Sequence, residues 1–530
     1  MPASPDPLQD AGSTVLSARP LALRGGRQRK AGKRPGREEQ DQGRVGVVDI
    51  GSNTVRLVVY EVPSRLPIPI FNEKAECRLG EGLSQSGKLS AAGVDRALRA
   101  LRRFASLALA MGVEHLELVA TAAVRDASDG VAFVERVEQT CGVHVHVLSG
   151  AEEARLAAVG VLNGSPLADG ALADLGGGSL DLVSLDAGRI GTFATLPLGH
   201  LRLAEESAGD RVKARALLDE RLSTVPWLDA VGGRGLYCVG GSWRALARVF
   251  IDQMHHPLHV VDNFTIGFFD AIKLANLLAG LSRATVERLG SLDAKRADTL
   301  PFAAGALAAL LERTRPREVS FSAFSMREGQ MLELLPRHLR GQDALISACE
   351  GQAEREGRFA QHGEEILDWM SPLFEPEKVA QRRLRLASCL LSDIGWSEHP
   401  DYRAIHAFHR VLRIPYPGLS HPERAEMAIA ILVRYGGKED DPMVMPVRTL
   451  LTEVDLNRAR VTGLALRLAH TLTGGAPGLL PQTPLIRKNA SLILELPRDP
   501  LVFHSEAVER RFLRLAKAMT LKGEIRPTAR

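Results

Sequence analysis

The 530-residue sequence has few cysteines and no long apolar run, and both absences narrow its class. Its five cysteines are scattered and form no CxxC pair. This argues against a structural zinc site or a disulfide framework and favours a reducing, cytoplasmic compartment. No apolar run approaches the roughly 18 residues that a membrane span needs, so we expect no membrane contact. The content of 45% hydrophobic and 25% charged residues is typical of a globular chain of several domains.

The folded part of the chain also lacks net charge. The formal charge is +4, and residues 1–44 hold nine basic and five acidic side chains, which accounts for all of it. Residues 1–43 are rich in Pro, Gly, Arg and Gln and lack hydrophobic periodicity, so we predict a disordered basic tail there. The balanced remainder indicates no specific nucleic-acid partner, and only a local patch could bind a polyanion.

Several nucleotide and hydrolase motifs are missing as well. No GxxxxGK[ST] stretch is present, which excludes a P-loop, and no Ser-His-Asp or Cys-His arrangement stands out. Two related turns are present instead, "DIGSN" at 49–53 and "DLGGGS" at 174–179. Each follows an apolar strand and precedes a second strand, and each opens a block of alternating strand and helix patterns. Such alternation predicts an α/β fold in two similar lobes.

The patterns also suggest domain boundaries along the chain. We predict a first lobe over 44–165 and a second over 166–341. Helical periodicity dominates over 342–476 and predicts a separate helical domain. Residues 477–530 contain one strand candidate, "SLILELP", and one amphipathic helix, "SEAVERRFLRLAKAMT", which predicts a small C-terminal α+β segment.

The two glycine turns have the composition of a phosphate clamp. Glycine lets the backbone approach an anion closely, and successive N–H groups can then hold phosphate oxygens. An aspartate cannot bind an anion itself, so Asp49 and Asp174 are candidates for a cation such as Mg²⁺ or for an ordered water. The candidate phosphate-binding residues are Gly51, Ser52, Asn53, Gly176, Gly177, Gly178 and Ser179.

A third acidic stretch, "VLSGAEEARL", contains a candidate general base. Ser149 can cap a helix whose first turn holds Glu152 and Glu153, and these two side chains point about 100° apart. One of them can face a cleft and activate water, although the residues alone leave open which one. Arg125 in "ATAAVRDA" can neutralise a transferring phosphoryl group, or can simply pair with Asp126 or Asp129 on the surface.

Taken together, these stretches resemble the exopolyphosphatase/guanosine pentaphosphate phosphohydrolase (Ppx/GppA) family. The resemblance covers about residues 45–335, in family order. Its matching stretches are "VGVVDIGSNTVRLVVYE", "ATAAVRDA", "VLSGAEEARL", "LADLGGGSLDLV", "LPLGHLRL", "CVGGSWRALA" and "FSAFSMREGQML".

The resemblance implies a duplicated actin-like, ribonuclease H-like fold and Mg²⁺-dependent hydrolysis of a terminal phosphate. It assigns the catalytic carboxylate to Glu153 rather than Glu152, the arginine near the phosphate to Arg125, and a metal-associated role to Asp174. Gly240 and Gly241 match a glycine turn that we expect to be structural. The resemblance also suggests a homodimer.

Longer members of this family carry a helical domain that resembles HD phosphohydrolases. Ser392 stands here where such proteins have the histidine of the His-Asp pair, and Asp393 remains. His362 is a candidate remnant of another ligand. We therefore predict a helical scaffold without a competent metal centre. Separately, Arg403, His406, Arg410 and Arg413 recur at helical spacing and could form a track for a long polyanion.

The favoured function is therefore exopolyphosphatase activity, the removal of terminal phosphate from inorganic polyphosphate. A guanosine pentaphosphate 5′-phosphohydrolase is the first alternative, because both reactions use the same terminal phosphate site. A non-enzymatic actin-like nucleotide-binding regulator is the second alternative, and the presence of Glu153 argues against it.

Overall fold

The computed structural model describes residues 43–61, 65, 68–289, 296–359, 362–497 and 503–528. The predicted disordered tail, residues 1–43, lies outside this range apart from Gly43.

The first sheet is built around the strand that precedes the first glycine turn. Strand β1 pairs antiparallel with β2 through the turn and parallel with β4, in the order β3-β2-β1-β4-β5. The strands are β1 (Arg44–Ile50), β2 (Thr54–Glu61), β3 (Ile68–Glu76), β4 (His115–Ala120) and β5 (Val145–Val147). The accompanying helices are α1 (Leu83–Ser86), α2 (Ala91–Ala110), α3 (Ala122–Asp126), α4 (Gly130–Cys141) and α5 (Gly150–Gly164).

The second sheet repeats this order and adds one strand. Its order is β10-β11-β9-β6-β7-β8, with β6 and β7 joined by the second glycine turn. The strands are β6 (Gly170–Leu175), β7 (Leu180–Asp186), β8 (Arg189–Leu196), β9 (Gly235–Val239), β10 (Phe264–Gly267) and β11 (Glu318–Phe321). The helices are α6 (His200–Glu206), α7 (Arg211–Ser223), α8 (Gly241–Gln253), α9 (Phe268–Gly280), α10 (Arg283–Glu287), α11 (Leu300–Thr314), α12 (Met326–Leu334) and α13 (Arg337–Arg340).

Two helices cross between the lobes and join them. Helix α5 belongs to the first lobe in sequence, yet its alanines pack with Leu172 and Val183 of the second sheet. Helix α12 belongs to the second lobe in sequence, yet Met326 and Met331 pack with Val47 of the first sheet. The predicted boundary at residue 165 therefore follows the order of the strands but not the packing of these helices.

The α5–α12 contact is a close approach of two backbones. A Cβ on Gly160 would lie 2.1 Å from the carbonyl oxygen of Ser325, and one on Gly329 would lie 1.9 Å from that of Leu156. Real Cβ atoms do not approach backbone oxygens this closely, so both positions require glycine. The crossing fixes where the first turns of both helices lie.

The rest of the chain is mainly helical and shares one core with the C-terminal segment. The helices are α14 (Ala344–Glu356), α15 (Gly363–Met370), α16 (Val379–Leu390), α17 (Arg403–Arg413), α18 (His421–Arg434), α19 (Met445–Arg448), α20 (Glu453–Thr473) and α21 (Glu506–Ala518). Phe408, Leu466, Leu494 and Phe512 are buried together, and Leu258 of the second lobe joins them. The predicted C-terminal strand forms the centre of a three-stranded sheet of β12 (Leu485–Lys488), β13 (Ser491–Leu496) and β14 (Lys522–Pro527).

No described helix combines the length and apolarity needed to cross a bilayer. All five cysteines are buried and unpaired.

The helix crossing generates a stability prediction. Gly160→Ala should lower the free energy of unfolding by about 3 kcal/mol, because the new methyl group has no space against a backbone carbonyl. Gly305→Ala in α11 is the matched control, because a Cβ at that position would have no atom within 4 Å. That variant should be neutral or stabilising by up to about 1 kcal/mol. Urea unfolding of both variants measures the difference, and equal effects would contradict the proposed backbone contact.

Candidate active site

The two glycine turns face each other, as the clamp interpretation requires. The first turn closes with a hydrogen bond from Gly51 N to Thr54 O, and the second with one from Gly176 N to Ser179 O, both 3.0 Å long. A Cβ on Gly177 would lie 3.2 Å from the Cβ of Ser52, and one on Gly178 would lie 3.3 Å from its Oγ. Side chains on these glycines would close the gap between the turns.

Several amides in the turns remain available to a ligand. Within the described residues, the N–H groups of Ser52, Gly177 and Gly178 have no hydrogen-bond acceptor. Buried or half-buried amides normally find one. The two turns therefore present unused donors to the same space, which is the arrangement that binds phosphate oxygens.

The second turn is supported from behind by the segment before α6. Gly199 lies against it so closely that a Cβ would be 2.3 Å from Gly177 O. His200 Nδ1 lies 2.8 Å from Gly176 O, and since a carbonyl can only accept, this nitrogen is the donor. Burial lowers the pKa of His200 to about 4, so its ring is neutral at pH 7 and keeps this tautomer.

The start of α5 separates the roles of its two glutamates. Glu152 completes a capping box: Ser149 N donates to Glu152 Oε2 at 2.9 Å, and Ser149 Oγ accepts from Glu152 N at 3.2 Å. The Glu153 side chain points the other way and is 16% exposed. Glu152 is therefore held in a structural cap, and Glu153 is the acid that faces the interior.

Arg125 links Glu153 to the neighbouring loop. Its Nη1 donates to Glu153 Oε2 at 3.2 Å and to Leu148 O at 2.9 Å, and its Nε lies 3.4 Å from Asp126 Oδ1. Of the two surface partners considered above, Asp126 is present, and Asp129 instead accepts from Leu89 N. Arg125 thus contacts a structural partner and the candidate base at once.

Asp181 is a buried acid that the sequence patterns did not identify. It lies opposite Asp174 across the β6–β7 pair and is 2% exposed. Ser179 Oγ donates to its Oδ2 at 3.3 Å, whereas its Oδ1 has no hydrogen-bond partner among the described residues. An acid in the apolar strand "LDLV" was the available signal, because a charge in a buried strand usually has a functional reason.

These carboxylates perturb one another strongly. Burial raises the pKa of Glu153 to about 8, and the charge of Asp181 adds to this effect while Arg125 opposes it. Burial likewise raises the pKa of Asp181 to about 7, with Asp174 contributing repulsion. Burial also raises the pKa of Asp174, although Ser325 Oγ donates to its Oδ2 at 2.9 Å. A group with a pKa near neutrality is suited to accept a proton from water.

The chemistry of this group suits a divalent cation. Mg²⁺ prefers oxygen ligands and usually binds one or two carboxylates together with water and phosphate oxygens. Asp174 and Asp181 supply adjacent carboxylates. The Oδ1 of Asp181 makes no hydrogen bond of normal geometry with the described residues, although the Thr195 hydroxyl lies near enough to lower the pKa of Asp181. The residues present therefore fit a magnesium ion.

Asp49, the other predicted metal ligand, has a different environment. Arg327 Nη1 lies 3.6 Å from its Oδ2 and lowers the pKa of Asp49, although burial raises this pKa by more. Arg327 and Arg244 both approach the cleft near Asp49 and Asp174. Burial lowers the pKa of Arg244 to about 10, and the group is still charged at pH 7. These arginines can bind phosphate oxygens, a role that the sequence patterns assigned to neither.

Gly240 and Gly241 support the sheet edge behind the cleft. Gly240 has a φ of 104°, and its Cβ would lie 2.5 Å from Leu175 O. Arg296 Nη1 donates to Gly241 O at 2.9 Å. The expected structural role of these glycines agrees with this geometry.

The predicted polyanion track has little free charge. Glu356 pairs with Arg410, and Glu398 Oε2 lies 3.1 Å from His406 Nδ1. Arg403 stacks on a tryptophan, and Arg413 is the exposed member without a carboxylate partner among the described residues. The four residues share one face of α17, but carboxylates neutralise half of them, and the track stays a prediction.

The comparisons with known proteins agree with this architecture. Residues 58–338 match the Ppx/GppA phosphatase family. The chain belongs to that family. Residues 345–525 match the domain described as exopolyphosphatase, C-terminal. Family membership confirms the predicted enzyme class, a phosphoanhydride hydrolase.

Individual relatives match a little over half of this chain. Exopolyphosphatase 1 of Mycobacterium bovis and that of Mycobacterium tuberculosis are each 32% identical over 322 residues, which is 58% of this chain and 92% of the relative. An exopolyphosphatase crystal structure from Cytophaga hutchinsonii aligns with a TM-score of 0.51 and 25% identity, over 55% of this chain and 99% of that one. The predicted duplicated actin-like fold with a helical C-terminal region is confirmed.

The raised pKa of Glu153 predicts a pH-dependent stability. The folded state holds this proton more tightly than the unfolded chain, so ionisation costs folding free energy as pH rises from about 4.5 to about 8. Without divalent cations, Glu153→Gln should therefore gain stability relative to wild type between pH 5 and pH 8, by on the order of 1–3 kcal/mol.

Glu152→Gln is the matched control, and we expect it to change the free energy of unfolding in the opposite direction. Hydrogen bonds from Ser149 lower the pKa of Glu152, so its ionised form stabilises the fold at and above pH 5. This variant should be destabilised at both pH values, by about 1 kcal/mol. Urea unfolding at pH 5 and pH 8 compares the two, and a Glu153→Gln difference that is independent of pH would contradict the buried carboxylate cluster.

Proposed function

We propose that this chain is an exopolyphosphatase that removes the terminal phosphate of inorganic polyphosphate with the help of Mg²⁺. The observation that carries the proposal is the pair of facing glycine turns, with three amides that have no acceptor among the described residues. It is joined by Glu153, a buried carboxylate whose pKa is raised by burial and by the charges of Asp181 and Asp174. The names of the relatives at 32% identity, and of the domain matched by residues 345–525, support polyphosphate as the substrate.

In the proposed reaction the turns bind the end of the chain. The amides of Ser52, Gly177 and Gly178 donate hydrogen bonds to oxygens of the terminal phosphoryl group. Arg125 neutralises part of its charge, as charge-assisted hydrogen bonds to phosphate do. These contacts hold the phosphorus in line with a water on its far side, which supplies much of the rate enhancement.

Glu153 then accepts the proton of the attacking water. The water oxygen forms a bond to phosphorus, the bond from phosphorus to the bridging oxygen breaks, and the electron pair leaves with the shortened chain. The products are orthophosphate and a polyphosphate one unit shorter. Asp174 and Asp181 would hold Mg²⁺, which when bound would neutralise charge on the phosphoryl oxygens.

The adjacent glutamates give a sharp test of this assignment. Glu153→Gln should lower kcat for phosphate release from long-chain polyphosphate by about 10²–10⁴-fold, because the amide cannot accept the proton. Glu152→Gln, one residue away, should keep kcat within a few-fold, since its side chain only caps α5. Equal losses in both variants would reject Glu153 as the base.

The substrate is tested with the wild-type chain. Phosphate release from long-chain polyphosphate, guanosine pentaphosphate and ATP should give the highest kcat/KM for polyphosphate. A higher value for guanosine pentaphosphate would assign the chain to the nucleotide reaction instead, with the same catalytic residues.

The proposed metal site is tested by the effect of Mg²⁺ on protein stability. Mg²⁺ should raise the melting temperature of the wild-type chain, and more at pH 8 than at pH 6, because protons compete for carboxylates of raised pKa. At 100 times its Kd the ion would add about 2.7 kcal/mol. Asp181→Asn should remove most of this increase, whereas an unchanged increase would place the ion elsewhere.

A further inference from the structure

A pocket in the helical region collects five arginines. It lies where the ends of α18 and α20 meet α21 and the segment before α17, and its volume is about 380 Å³. Its cationic side chains are Arg358, Arg403, Arg434, Arg467 and Arg511. None of these residues belongs to the cleft between the glycine turns. We call this group of side chains the arginine pocket.

The arginine pocket has too little negative charge to neutralise it. Among its guanidinium groups, those of Arg358 and Arg434 share one carboxylate, that of Asp393, at 3.0 and 3.4 Å. Arg403 donates only to a backbone carbonyl, and Arg511 only to the hydroxyl of a threonine. The Arg467 side chain makes no hydrogen bond or ion pair with the described residues. Five positive charges therefore face one negative charge.

This imbalance contrasts with the rest of the helical region. Several arginines elsewhere in it each have a carboxylate of their own. The pairs are Arg383–Asp343, Arg385–Glu377, Arg410–Glu356, Arg458–Glu426 and Arg460–Glu439. The shortage of carboxylates is therefore specific to the arginine pocket and does not reflect a generally basic composition of the helical region.

The arginines pack on a tryptophan ring and on two glycines. Arg358 lies 3.6 Å and Arg403 4.5 Å above the ring of Trp396, which orients both guanidinium groups. Gly475 and Gly436 both have positive φ, and a Cβ there would lie 2.3 Å from Arg358 and 2.7 Å from Arg467. The fold therefore brings these charges together at the cost of their mutual repulsion.

The repulsion is visible at the buried end of the arginine pocket. Arg434 is 6% exposed, and its Nε has no hydrogen-bond partner among the described residues. Burial lowers the pKa of Arg434 to about 10, and the charges of Arg358 and Arg467 add to this effect. A buried guanidinium with an unused donor is costly unless a ligand accepts from it.

A metal ion does not explain this arrangement. His362, Asp393 and His470 could each offer one ligand atom, and these atoms lie within 4.8 Å of one another. However, Arg358 and Arg434 already contact Asp393, and a divalent cation there would be repelled by both. Ser392, which stands in place of the HD histidine, is itself hydrogen-bonded: its Oγ lies 2.9 Å from His470 Nε2.

We propose that the arginine pocket binds a compact oligophosphate carrying two or more adjacent phosphoryl groups, at a site separate from the cleft. Guanidinium groups match phosphate oxygens with paired hydrogen bonds, and several of them require a ligand of several charges. The guanidinium groups of Arg358 and Arg403 lie over the ring of Trp396 and compete with a base for stacking on it, so recognition rests on phosphoryl groups. This inference does not depend on which phosphoanhydride the cleft hydrolyses.

Trp396 offers a signal specific to the arginine pocket. It is 40% exposed, and a ligand that draws Arg358 off its ring should change its fluorescence. The full-length chain carrying Glu153→Gln is titrated with tripolyphosphate in EDTA at physiological salt, so that turnover does not interfere. A saturable change is expected, and it should be absent when Trp396→Phe is added.

Two further variants test the arginines one at a time. Arg467→Ala and Arg511→Ala, each in the Glu153→Gln background, should weaken this binding about 10–100-fold, the effect of losing one charge-assisted contact. Both side chains lack carboxylate partners among the described residues, so their removal leaves no buried charge unpaired. Lys488→Ala removes an exposed charge from the C-terminal sheet, outside both the arginine pocket and the predicted polyanion track, and should change the affinity less than about twofold.

These binding measurements do not depend on the proposed catalytic function, because no turnover is measured. A negative result here would therefore reject the arginine pocket and leave the catalytic proposal unaffected. Unchanged affinity in both Arg467→Ala and Arg511→Ala would overturn the site, and so would an equal loss in Lys488→Ala. Guanosine triphosphate is titrated in parallel. Equal affinity for tripolyphosphate and guanosine triphosphate would assign the site to an inorganic chain. Tighter binding of the nucleotide that is lost in Arg467→Ala would assign it to a nucleoside polyphosphate. If neither probe binds, the proposal is rejected.

Discussion

The contact between α5 and α12, backbone against backbone, is the constraint on which the catalytic cleft depends. Gly160 and Gly329 allow the two helices to cross without intervening side chains. The start of α5 carries Glu153, and the start of α12 carries Arg327. Two residues before Arg327 is Ser325, whose hydroxyl donates to Asp174. Because each helix packs on the sheet of the other lobe, the crossing sets the distance between the lobes and the position of these side chains together.

Two groups of like-charged side chains stand out among the described residues, and they have opposite signs. In the cleft, Glu153, Asp174 and Asp181 lie close together, and their pKa values are raised. In the arginine pocket, five guanidinium groups share one carboxylate. Each arrangement costs folding free energy in the absence of a ligand, because buried like charges repel. The first is relieved by a cation and the second by an anion, and a phosphate-processing protein encounters both.

The carboxylate cluster also connects stability to chemistry. The environment that raises the pKa of Glu153 makes it a better proton acceptor. The same environment destabilises the folded state when Glu153 is ionised. Arg125 limits this cost through its hydrogen bond to Glu153 and is itself held by Leu148 O and Asp126. The capping box of Glu152 fixes the first turn of α5, so the neighbouring side chain has one direction in which to point.

The sequence by itself determined the two-lobed α/β class, both glycine turns, and a helix start at Ser149 with two acids in its first turn. These features depend on local spacing, since a turn needs glycine where it lies and a helix start needs its cap three residues before the acid. Only the tertiary structure decided that α5 and α12 exchange lobes, that Asp181 joins Asp174, and that five arginines from distant segments meet around Trp396. Strands β12 and β14 were likewise decided by their pairing with β13, because their own residues are mostly polar and exposed. Such features arise from contacts between residues far apart in the chain, and no local pattern records which charged side chains a fold will bring together without a partner.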